Sequence, residues 1–453
     1  MNTWTRMLAA CAVVMVTGLA VVRGQMPAAP VASQRDQVTL AVPRHNNAAP
    51  WVASAGRFVA VTWGAALDGT WDIYVATSAD EGQTFGSPVR VNTVDGDGRV
   101  SGEIPPRVAL HQPAGASRPE VVVAWNAKDR GTEIKVARST DFGGTFGAPV
   151  SLQASGAAGD RGWHALTVDA QGAAHVVWLD HRGLAEAPAA AGAKAGAAGH
   201  GGAMSHGAAE AHDGVAMAMK SRLHYAVVTA QGARAEQILA PGVCYCCKTA
   251  LVPTSRGVLA AWRHVYAGNM RDIGFAWLGT PAAAAAPARV SEDGWSINGC
   301  PDDGPAMALG GRGRVHIVWP TVIPGDEPVG ALFHATMADG AAFGPRQRVP
   351  TLGAPKPSHP QVVVDGTGRV FVAWDEMQAG VRTAAVVTAT TGANGALAFD
   401  TPAAVAPGAP TQYPVMAPLA RGVVMTWVTG PPSAGTISVQ RRLGGTSATI
   451  AVR

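Results

Sequence analysis

The sequence has few charged residues and few aromatic ones. Charged side chains make up 15% of the 453 residues and aromatic side chains 6%, with only 5 tyrosines. The formal net charge of +4 is too dilute for a nucleic-acid-binding protein, because such proteins gather Lys and Arg on one stripe. Helix-forming Glu, Lys and Gln are sparse, whereas 55 Gly and 32 Pro indicate many turns. The composition therefore excludes a mainly helical protein and disfavours a doubly wound α/β fold.

Long apolar runs are also missing, with one exception at the N-terminus. Residues 7–22 follow Arg6 without a charge, and small or polar residues come next, around Gly24. This order predicts a signal peptide over residues 1–24. An uncleaved anchor is the alternative, although the run is shorter than the ~20 residues that a spanning helix needs. We therefore expect an exported protein, periplasmic or extracellular, with no membrane span after cleavage.

One pattern recurs along the chain: a Gly-rich turn, an alternating apolar run and then a tryptophan. The tryptophans that end these runs are Trp63, Trp125, Trp178, Trp262, Trp319, Trp374 and Trp427. They are separated by 62, 53, 84, 57, 55 and 53 residues. A strand repeated at a near-constant period is typical of a β-propeller or a solenoid.

Each repeat has room for four short strands. Around Trp125 the pattern predicts strands at Arg107–His111, 120–125, 133–138 and 149–152. Four strands make one propeller blade, and closing the ring removes exposed sheet edges. We therefore predict an all-β propeller of seven blades, with six as the alternative if one repeat is degenerate. A strand at residues 37–42 is expected to complete the short last blade.

The longest interval between tryptophans contains an insertion. Of the 30 residues at positions 185–214, 20 are Ala or Gly, and such a composition cannot form a packed core. We expect a flexible loop between strands of neighbouring repeats, within a single propeller domain that spans residues 25–453.

Two turns carry the same signature, S-x-D-x-G-x-T-F. In such a turn the Asp carboxylate accepts backbone N–H groups, and Gly permits a positive φ. The matching residues are Ser78, Asp80, Gly82, Thr84 and Phe85 in the first turn and Ser139, Asp141, Gly143, Thr145 and Phe146 in the second. The signature resembles the Asp-box, or BNR, repeat of the sialidase-like β-propellers. The resemblance implies that these residues are structural and lie on outer turns, away from any active site.

The resemblance also bears on catalysis. Sialidases of this family hold the substrate carboxylate with three arginines, and they use a tyrosine nucleophile with a glutamate partner and an aspartate acid/base. Tyr413, on the innermost strand of the last blade, is the candidate nucleophile, and Arg263 and Arg271 are candidate carboxylate ligands. The Arg-Ile-Pro motif of the family is absent, with only an echo at residues 104–107. Because a fold does not imply an activity, we expect sialidase activity to be absent or weak, and an exo-sialidase-type glycoside hydrolase is the alternative function.

Four cysteines follow the predicted cleavage site. Cys244, Cys246 and Cys247 lie in Cys-Tyr-Cys-Cys-Lys-Thr, at the predicted start of the innermost strand of the fourth blade, and Cys300 has the same place in the fifth. We expect all four at one mouth of the channel. On an extended strand, Cys244 and Cys246 would share a face that Cys247 opposes. The motif resembles an exported bacterial subgroup of sialidase-like proteins that has Cys-x-Cys-Cys.

Three interpretations of these cysteines stay open. Disulfides are expected in an exported chain, with Cys300 bridging two blades. A thiolate site for copper or zinc is the second interpretation. Haem attachment through Cys244 and Cys247 is the third, although the usual histidine is missing. Additional soft-metal ligands in the insertion and just after it are His200, Met204, His206, His212, Met217 and Met219.

These patterns together predict an exported, monomeric binding protein with a sialidase-like propeller fold. We expect it to handle copper or another soft metal through the cysteine cluster. A glycan, small molecule or protein is expected to bind at the mouth of the channel.

Overall fold

The computed structural model describes residues 37–128, 131–153, 158–185, 214–279, 287–299, 301, 303–392, 395–431 and 433–443. Within these ranges the chain is almost entirely β-structure. In chain order the strands are β1 (Gln37–Leu40), β2 (Asn46–Ala55), β3 (Phe58–Leu67), β4 (Thr70–Ser78), β5 (Val89–Arg90), β6 (Arg107–His111), β7 (Glu120–Lys128), β8 (Thr132–Ser139), β9 (Val150–Ser151), β10 (Arg161–Val168), β11 (Ala174–Asp180), β12 (Arg222–Thr229), β13 (Gly232–Ala233), β14 (Gln237–Pro241), β15 (Ala250–Thr254), β16 (Gly257–Arg263), β17 (Ile273–Trp277), β18 (Ala288–Arg289), β19 (Ala306–Leu309), β20 (Val315–Ile323), β21 (Val329–Met337), β22 (Gln347–Arg348), β23 (Ser358–Val364), β24 (Val370–Gln378), β25 (Val381–Thr391), β26 (Leu397–Phe399), β27 (Ala403–Ala404), β28 (Gln412–Pro418), β29 (Val423–Thr429) and β30 (Thr436–Arg442).

Short helical segments interrupt the strands at four places. They are the α-helices α1 (Arg182–Ala185) and α2 (Gly214–Lys220) and the 3₁₀ turns Ala267–Asn269 and Gly311–Gly313. Among the described residues, no helix combines the length and the apolar character that crossing a bilayer requires.

The strands form seven antiparallel sheets, which are the blades of a propeller. We number the blades by their innermost strands, which in order are β2, β6, β10, β15, β19, β23 and β28. Each innermost strand contacts the next one, and β28 contacts β2, so the ring is closed. The seven-bladed prediction is therefore confirmed. In blade 2 the first predicted strand is exact, the next two are longer than predicted and the last is shorter, because hydrophobic alternation does not mark strand ends sharply.

The N-terminal strand closes the ring as the sequence predicted. Strand β1 pairs antiparallel with β30, with Gln37 opposite Gln440 and Leu40 opposite Ile437. It therefore supplies the outermost strand of blade 7, whose other strands come from the C-terminal part of the chain. Joining the two ends in one sheet leaves no open edge at the closure point.

The repeat tryptophans lie between blades and are at most 1% exposed. Trp63 of blade 1 packs with Val415 and Ile437 of blade 7, and the other copies occupy the corresponding positions. A buried tryptophan removes roughly 150–250 Å² from water, so these side chains dominate the contacts between blades. The indole N–H of Trp63 donates to Asn47 Oδ1 at 2.9 Å, which satisfies the polar atom of a buried ring.

The insertion is placed differently from the prediction. Residues 185–214 fall between β11 and β12, which pair with each other inside blade 3, and not between neighbouring repeats. The sequence prediction was wrong because the Trp interval shows that residues were added but not which hairpin received them. The hairpin end that carries the insertion is the one where Arg161, the first residue of β10, pairs with Asp180.

Both Asp-box signatures form the expected turn, between the third and fourth strands of blades 1 and 2. Asp80 Oδ1 accepts the backbone N–H of Thr84 at 2.9 Å, and its Oδ2 accepts the Thr84 hydroxyl at 2.6 Å. Asp141 makes the same bonds with Thr145. Although burial acts in the other direction, these hydrogen bonds lower the pKa of Asp80 to about 2. The boxes follow Ser78 and Ser139, at the blade end opposite to the start of the innermost strands.

Candidate functional site

Four of the innermost strands share a bulge at one end of the channel. The pairing register shifts near the start of β2, β10, β23 and β28. At each shift one residue other than glycine adopts a positive φ: Ala49 (53°), Trp163 (50°), His359 (56°) and Tyr413 (51°). Such conformations are costly for a side chain with a Cβ and are concentrated at functional sites. We call this end of the channel the mouth.

The cysteine loop lies at the mouth beside Trp163. Cys244, Cys246 and Cys247 are at most 4% exposed, and they pack against Trp163 and Tyr245. They precede β15, which begins at Ala250. They are therefore in a turn and not on the strand, which corrects the sequence prediction. Because the chain turns here, all three sulfurs lie within 4.8 Å of one another instead of on opposite faces.

The thiols of Cys244 and Cys247 form a close pair. Their Sγ atoms are 3.0 Å apart and both residues are free cysteines. Cys300 lies outside the described residues, so its bridge between two blades stays a prediction. Burial and the neighbouring sulfur raise the pKa of Cys247, while the Cys247 hydrogen bond and nearby guanidinium groups lower the pKa of Cys244 despite its burial.

The guanidinium groups near Cys244 belong to Arg263 and Arg271. Arg263 donates to the carbonyl oxygens of Arg271 and Pro320 at 2.7 Å each. Arg271 donates to Asn269 Oδ1 at 2.9 Å and to the carbonyl oxygen of Ile297 at 3.1 Å. Both side chains are at most 1% exposed. They lie beside the cysteines, and no contact within the described parts of the chain joins either of them to Tyr413.

The insertion returns to the propeller next to the cysteine loop. Helix α2 begins at Gly214, whose carbonyl oxygen accepts a hydrogen bond from Arg271 at 3.4 Å. Gly242, two residues before Cys244, packs on the Met219 side chain. His200, Met204, His206 and His212 lie outside the described residues. Helix α2, which follows the insertion, therefore contacts both Arg271 and the residues just before Cys244.

Tyr413 lies in a polar network with two carboxylates and a histidine. His359 Nε2 is 2.8 Å from Glu103 Oε1, and its Nδ1 is 2.9 Å from both carboxylate oxygens of Asp375. The Tyr413 ring stacks at 4.3 Å from the His359 ring, and its backbone N–H donates to Asp375 Oδ2 at 2.7 Å. Arg382 donates to the same Asp375 carboxylate.

The charges of this network determine its titration. Burial lowers the pKa of a histidine, but Asp375 and Glu103 outweigh it and raise the pKa of His359 to about 10. The ring is therefore an imidazolium that donates to both carboxylates at neutral pH. Burial and the same carboxylates raise the pKa of Tyr413 far above its ordinary value. Tyr413 is thus a protonated phenol, and not a preformed phenolate nucleophile.

Asp303 connects the network to the cysteine loop. Its Oδ2 accepts the backbone N–H of His359 at 2.7 Å, and its backbone acts against burial to lower the pKa of Cys247. Its carbonyl oxygen accepts a bond from Arg263 Nε at 3.3 Å. Lys248 Nζ is 3.8 Å from Asp303 Oδ1. The cysteine pair and the Tyr413 network are therefore two parts of one mouth.

Sequence reasoning found Tyr413 and the cysteines but missed Glu103, His359 and Asp375. Glu103 lies in the irregular connection before β6, where no periodicity marks it. His359 did have a signal, because proline follows Ala49, His359 and Tyr413 alike. Proline lacks an N–H and suits a bulge where the ladder is interrupted. The X-Pro pair at the start of an innermost strand thus marks three of the four bulges.

No protein-family model and no curated protein matches the chain. Among solved structures, an α-L-arabinanase of Penicillium chrysogenum complexed with arabinobiose is 12% identical, with 90% of this chain and 98% of that chain covered and a TM-score of 0.47. A leech intramolecular trans-sialidase is 10% identical, with 85% and 83% covered and a TM-score of 0.46. The polysaccharide lyase Uly1 is 10% identical, with 89% and 91% covered and a TM-score of 0.47. The strand pairing of this chain establishes a seven-bladed β-propeller.

Proposed function

We propose that this protein is an exported binding propeller that takes up a soft metal ion, Cu(I) in the first place, through Cys244 and Cys247. The observation that carries the proposal is the pair of free, buried thiols whose sulfurs are 3.0 Å apart. Thiolate sulfur is a soft ligand that favours Cu(I) and also binds zinc. Burial protects such a pair from bulk oxidants, and the turn holds both sulfurs on the same side.

The distance between the two sulfurs fits a bidentate site after a small movement. Two thiolates bound to one tetrahedral ion at about 2.3 Å would lie ~3.8 Å apart, whereas a disulfide bond is about 2.05 Å long. The observed 3.0 Å lies between these values. A rotation of one side chain would give either arrangement, so metal binding and disulfide formation are competing states of the same pair.

The surroundings favour the thiolate form of Cys244, the form that a metal requires. Although burial acts in the other direction, the hydrogen bond with Cys247 and the guanidinium groups of Arg263 and Arg271 lower the pKa of Cys244. Burial and the neighbouring sulfur raise the pKa of Cys247. Cys247 is protonated before binding, so uptake of a metal ion releases its proton and becomes weaker as the pH falls. The Met219 side chain of helix α2 lies against Gly242, two residues before Cys244, and we propose that His200, Met204, His206 and His212 of the insertion capture the ion first.

The test is metal analysis of protein purified from the periplasm under anaerobic conditions. We expect about one equivalent of copper after exposure to Cu(I), and loss of that binding in the Cys244→Ser/Cys247→Ser variant. Tyr245→Phe, in the same loop, is the control that should retain the metal. Removing residues 186–213 should slow uptake without lowering the final content.

Thiol counting separates the metal site from a disulfide. Metal-free wild-type protein, denatured under anaerobic conditions, should show two free thiols in addition to any in the remaining cysteines. If the same two thiols appear only after reduction, and copper does not bind in the reduced protein, the pair is a structural disulfide and the proposal fails.

Glycoside hydrolysis is the second candidate function, because Tyr413 lies beside Glu103 at the mouth. The protonated state of Tyr413 and the backbone partners of Arg263 and Arg271 do not favour a sialidase mechanism, in which three arginines hold a carboxylate. Turnover of a fluorogenic sialoside that disappears in Tyr413→Phe, but persists in Cys244→Ser/Cys247→Ser, would establish this function in place of metal uptake.

A further inference from the structure

Two cationic side chains are buried in the channel with little to balance them. Arg107, the first residue of β6, is 3% exposed, and its Cζ lies 3.5 Å above the Trp51 ring. Its Nε donates to the carbonyl oxygen of His164 at 3.1 Å. Within the described ranges this is its only hydrogen bond, and no carboxylate forms an ion pair with it.

Lys248 is in a similar position. It follows Cys247 directly and is 5% exposed. Its nearest carboxylate oxygen is Asp303 Oδ1 at 3.8 Å, which is too far for a hydrogen bond. Across the part of the chain that the structure describes, the Lys248 ammonium makes no hydrogen bond. All three of its donors are therefore free to bind a ligand.

These two cations line the same cavity. Arg107, Lys248 and Gln361 share its wall with Trp51 and Thr249. The remaining wall is largely apolar and includes Leu166, Leu251 and Met307. Gln361 is 9% exposed, and its side-chain amide has no hydrogen-bond partner among the described residues. Trp51, Lys248 and Gln361 also line the adjoining cavity that reaches Tyr413 and His359.

Such an arrangement is unfavourable without a counter-ion. A buried charge that lacks a hydrogen-bonded partner costs several kcal/mol, and burial lowers the pKa of Arg107 to about 9. Arg107, Lys248 and His359 line the two adjoining cavities, whereas no carboxylate of the described residues lines either of them. An anion bound there would therefore meet an excess of positive charge.

We infer that the channel holds a small oxyanion, such as a carboxylate, phosphate or sulfate, between Arg107, Lys248 and Gln361. A guanidinium presents a planar fork of donors that matches an oxyanion, and the ammonium and amide add donors from other directions. The apolar walls would strengthen these charge-assisted bonds by excluding water. This inference does not depend on the metal-binding proposal, because the ligand and the residues are different.

The oxyanion has two sources that share this chemistry: a free small anion, or the carboxylate of an acidic sugar. We assign the site to a free small anion, because the cations lie inside the channel among apolar side chains. The experiment therefore compares acetate, phosphate and sulfate with N-acetylneuraminic acid, each at constant ionic strength and with the full protein.

Binding is measured by calorimetric titration and by the shift in melting temperature. We expect saturable binding of at least one small anion to the wild type. Arg107→Gln and Lys248→Gln should each weaken it by about tenfold or more, as expected for a lost charge-assisted hydrogen bond. Arg90→Gln and Lys135→Gln, which remove the same charges from ion pairs outside the cavity, should leave it unchanged.

Stability without added anion provides a second readout. Removing an unbalanced buried cation should raise the melting temperature of Arg107→Gln, or leave it unchanged, in buffer that lacks small oxyanions. The inference is overturned if no small anion binds saturably, if binding survives in both cavity variants, or if only N-acetylneuraminic acid binds.

Discussion

His359 joins Glu103 to Asp375 across the mouth of the channel. Its two ring nitrogens lie 2.8 Å from Glu103 Oε1 and 2.9 Å from Asp375 Oδ1. Glu103 comes from the connection that leads into blade 2, whereas His359 and Asp375 belong to blade 6. A single imidazolium therefore links distant parts of the chain and neutralises part of the charge of the buried Asp375 and the partly buried Glu103.

The first prediction concerns stability at alkaline pH. The pKa of His359 is about 10 in the folded protein and ~6.5 in an unfolded chain. Because the folded pKa is higher, the contribution of His359 is fully present below pH ~6.5 and is lost as the pH rises toward 10. We expect roughly 2–4 kcal/mol of pH-dependent stability in this window, measured by urea unfolding from pH 6 to 10.

The matching variant is His359→Gln, which cannot carry the charge. Its stability should fall less between pH 6.5 and 10 than that of the wild type, although it starts from a lower value. His45→Gln, which removes a histidine that bonds only to a nearby carbonyl oxygen, should keep the wild-type slope. Equal slopes in the wild type and His359→Gln would show that the imidazolium does not hold the two carboxylates together.

The second prediction concerns acid. His316 and His334 lie on neighbouring strands of blade 5, and their Nδ1 and Nε2 atoms are 3.1 Å apart. Burial lowers the pKa of His316 to about 4 and that of His334 to about 3. Since the unfolded chain binds these protons more tightly, stability is full above pH ~6.5 and falls as the pH drops toward 4.

Each such histidine contributes a slope of about 1.4 kcal/mol per pH unit inside this window. We expect the double variant His316→Gln/His334→Gln to have a smaller slope of unfolding free energy against pH between pH 6 and 4.5. The reduction should be roughly twice the slope that one histidine contributes. Other buried histidines, such as His164, account for the pH dependence that remains in the double variant. An unchanged slope in the double variant would contradict the assignment of neutral rings to this pair.

The fold could be predicted from the sequence, whereas most of the mouth could not. Strands such as β7 contain a run of apolar residues that leads to a buried tryptophan, so a local pattern determines them. Glu103 and Asp303 lie in irregular connections, and their positions depend on how seven blades close the ring. The cysteine loop was predicted at the start of a strand from its place in the repeat, although the chain turns there.

The third prediction compares two repeat tryptophans. Trp319 Nε1 donates to the buried Asp293 carboxylate at 2.7 Å, while Trp125 Nε1 is buried without a partner among the described residues. Both side chains are at most 1% exposed, so a change to Phe removes a similar volume. Trp319→Phe should destabilise the protein by ~1.5–3 kcal/mol more than Trp125→Phe, the cost of a charged hydrogen bond. Chemical denaturation of both variants measures the difference, and equal losses would refute it.

The last prediction uses the close contact between Gly102 and Tyr413. A Cβ at Gly102 would overlap the Tyr413 ring, because it would lie well inside van der Waals distance of the ring carbons. The glycine therefore lets the tyrosine stack on His359 beside Glu103. Gly102→Ala should displace the ring and destabilise the protein by ~1–3 kcal/mol, the usual range for overpacking.

A double-mutant cycle isolates this contact from other effects of the alanine. In a Tyr413→Ala background, where the ring is gone, Gly102→Ala should cost close to nothing, because the space is open. The coupling energy between the two positions should therefore reach ~1–3 kcal/mol. If Gly102→Ala is equally destabilising in both backgrounds, its cost comes from the backbone of the connection and the tyrosine does not depend on the glycine for its place at the mouth.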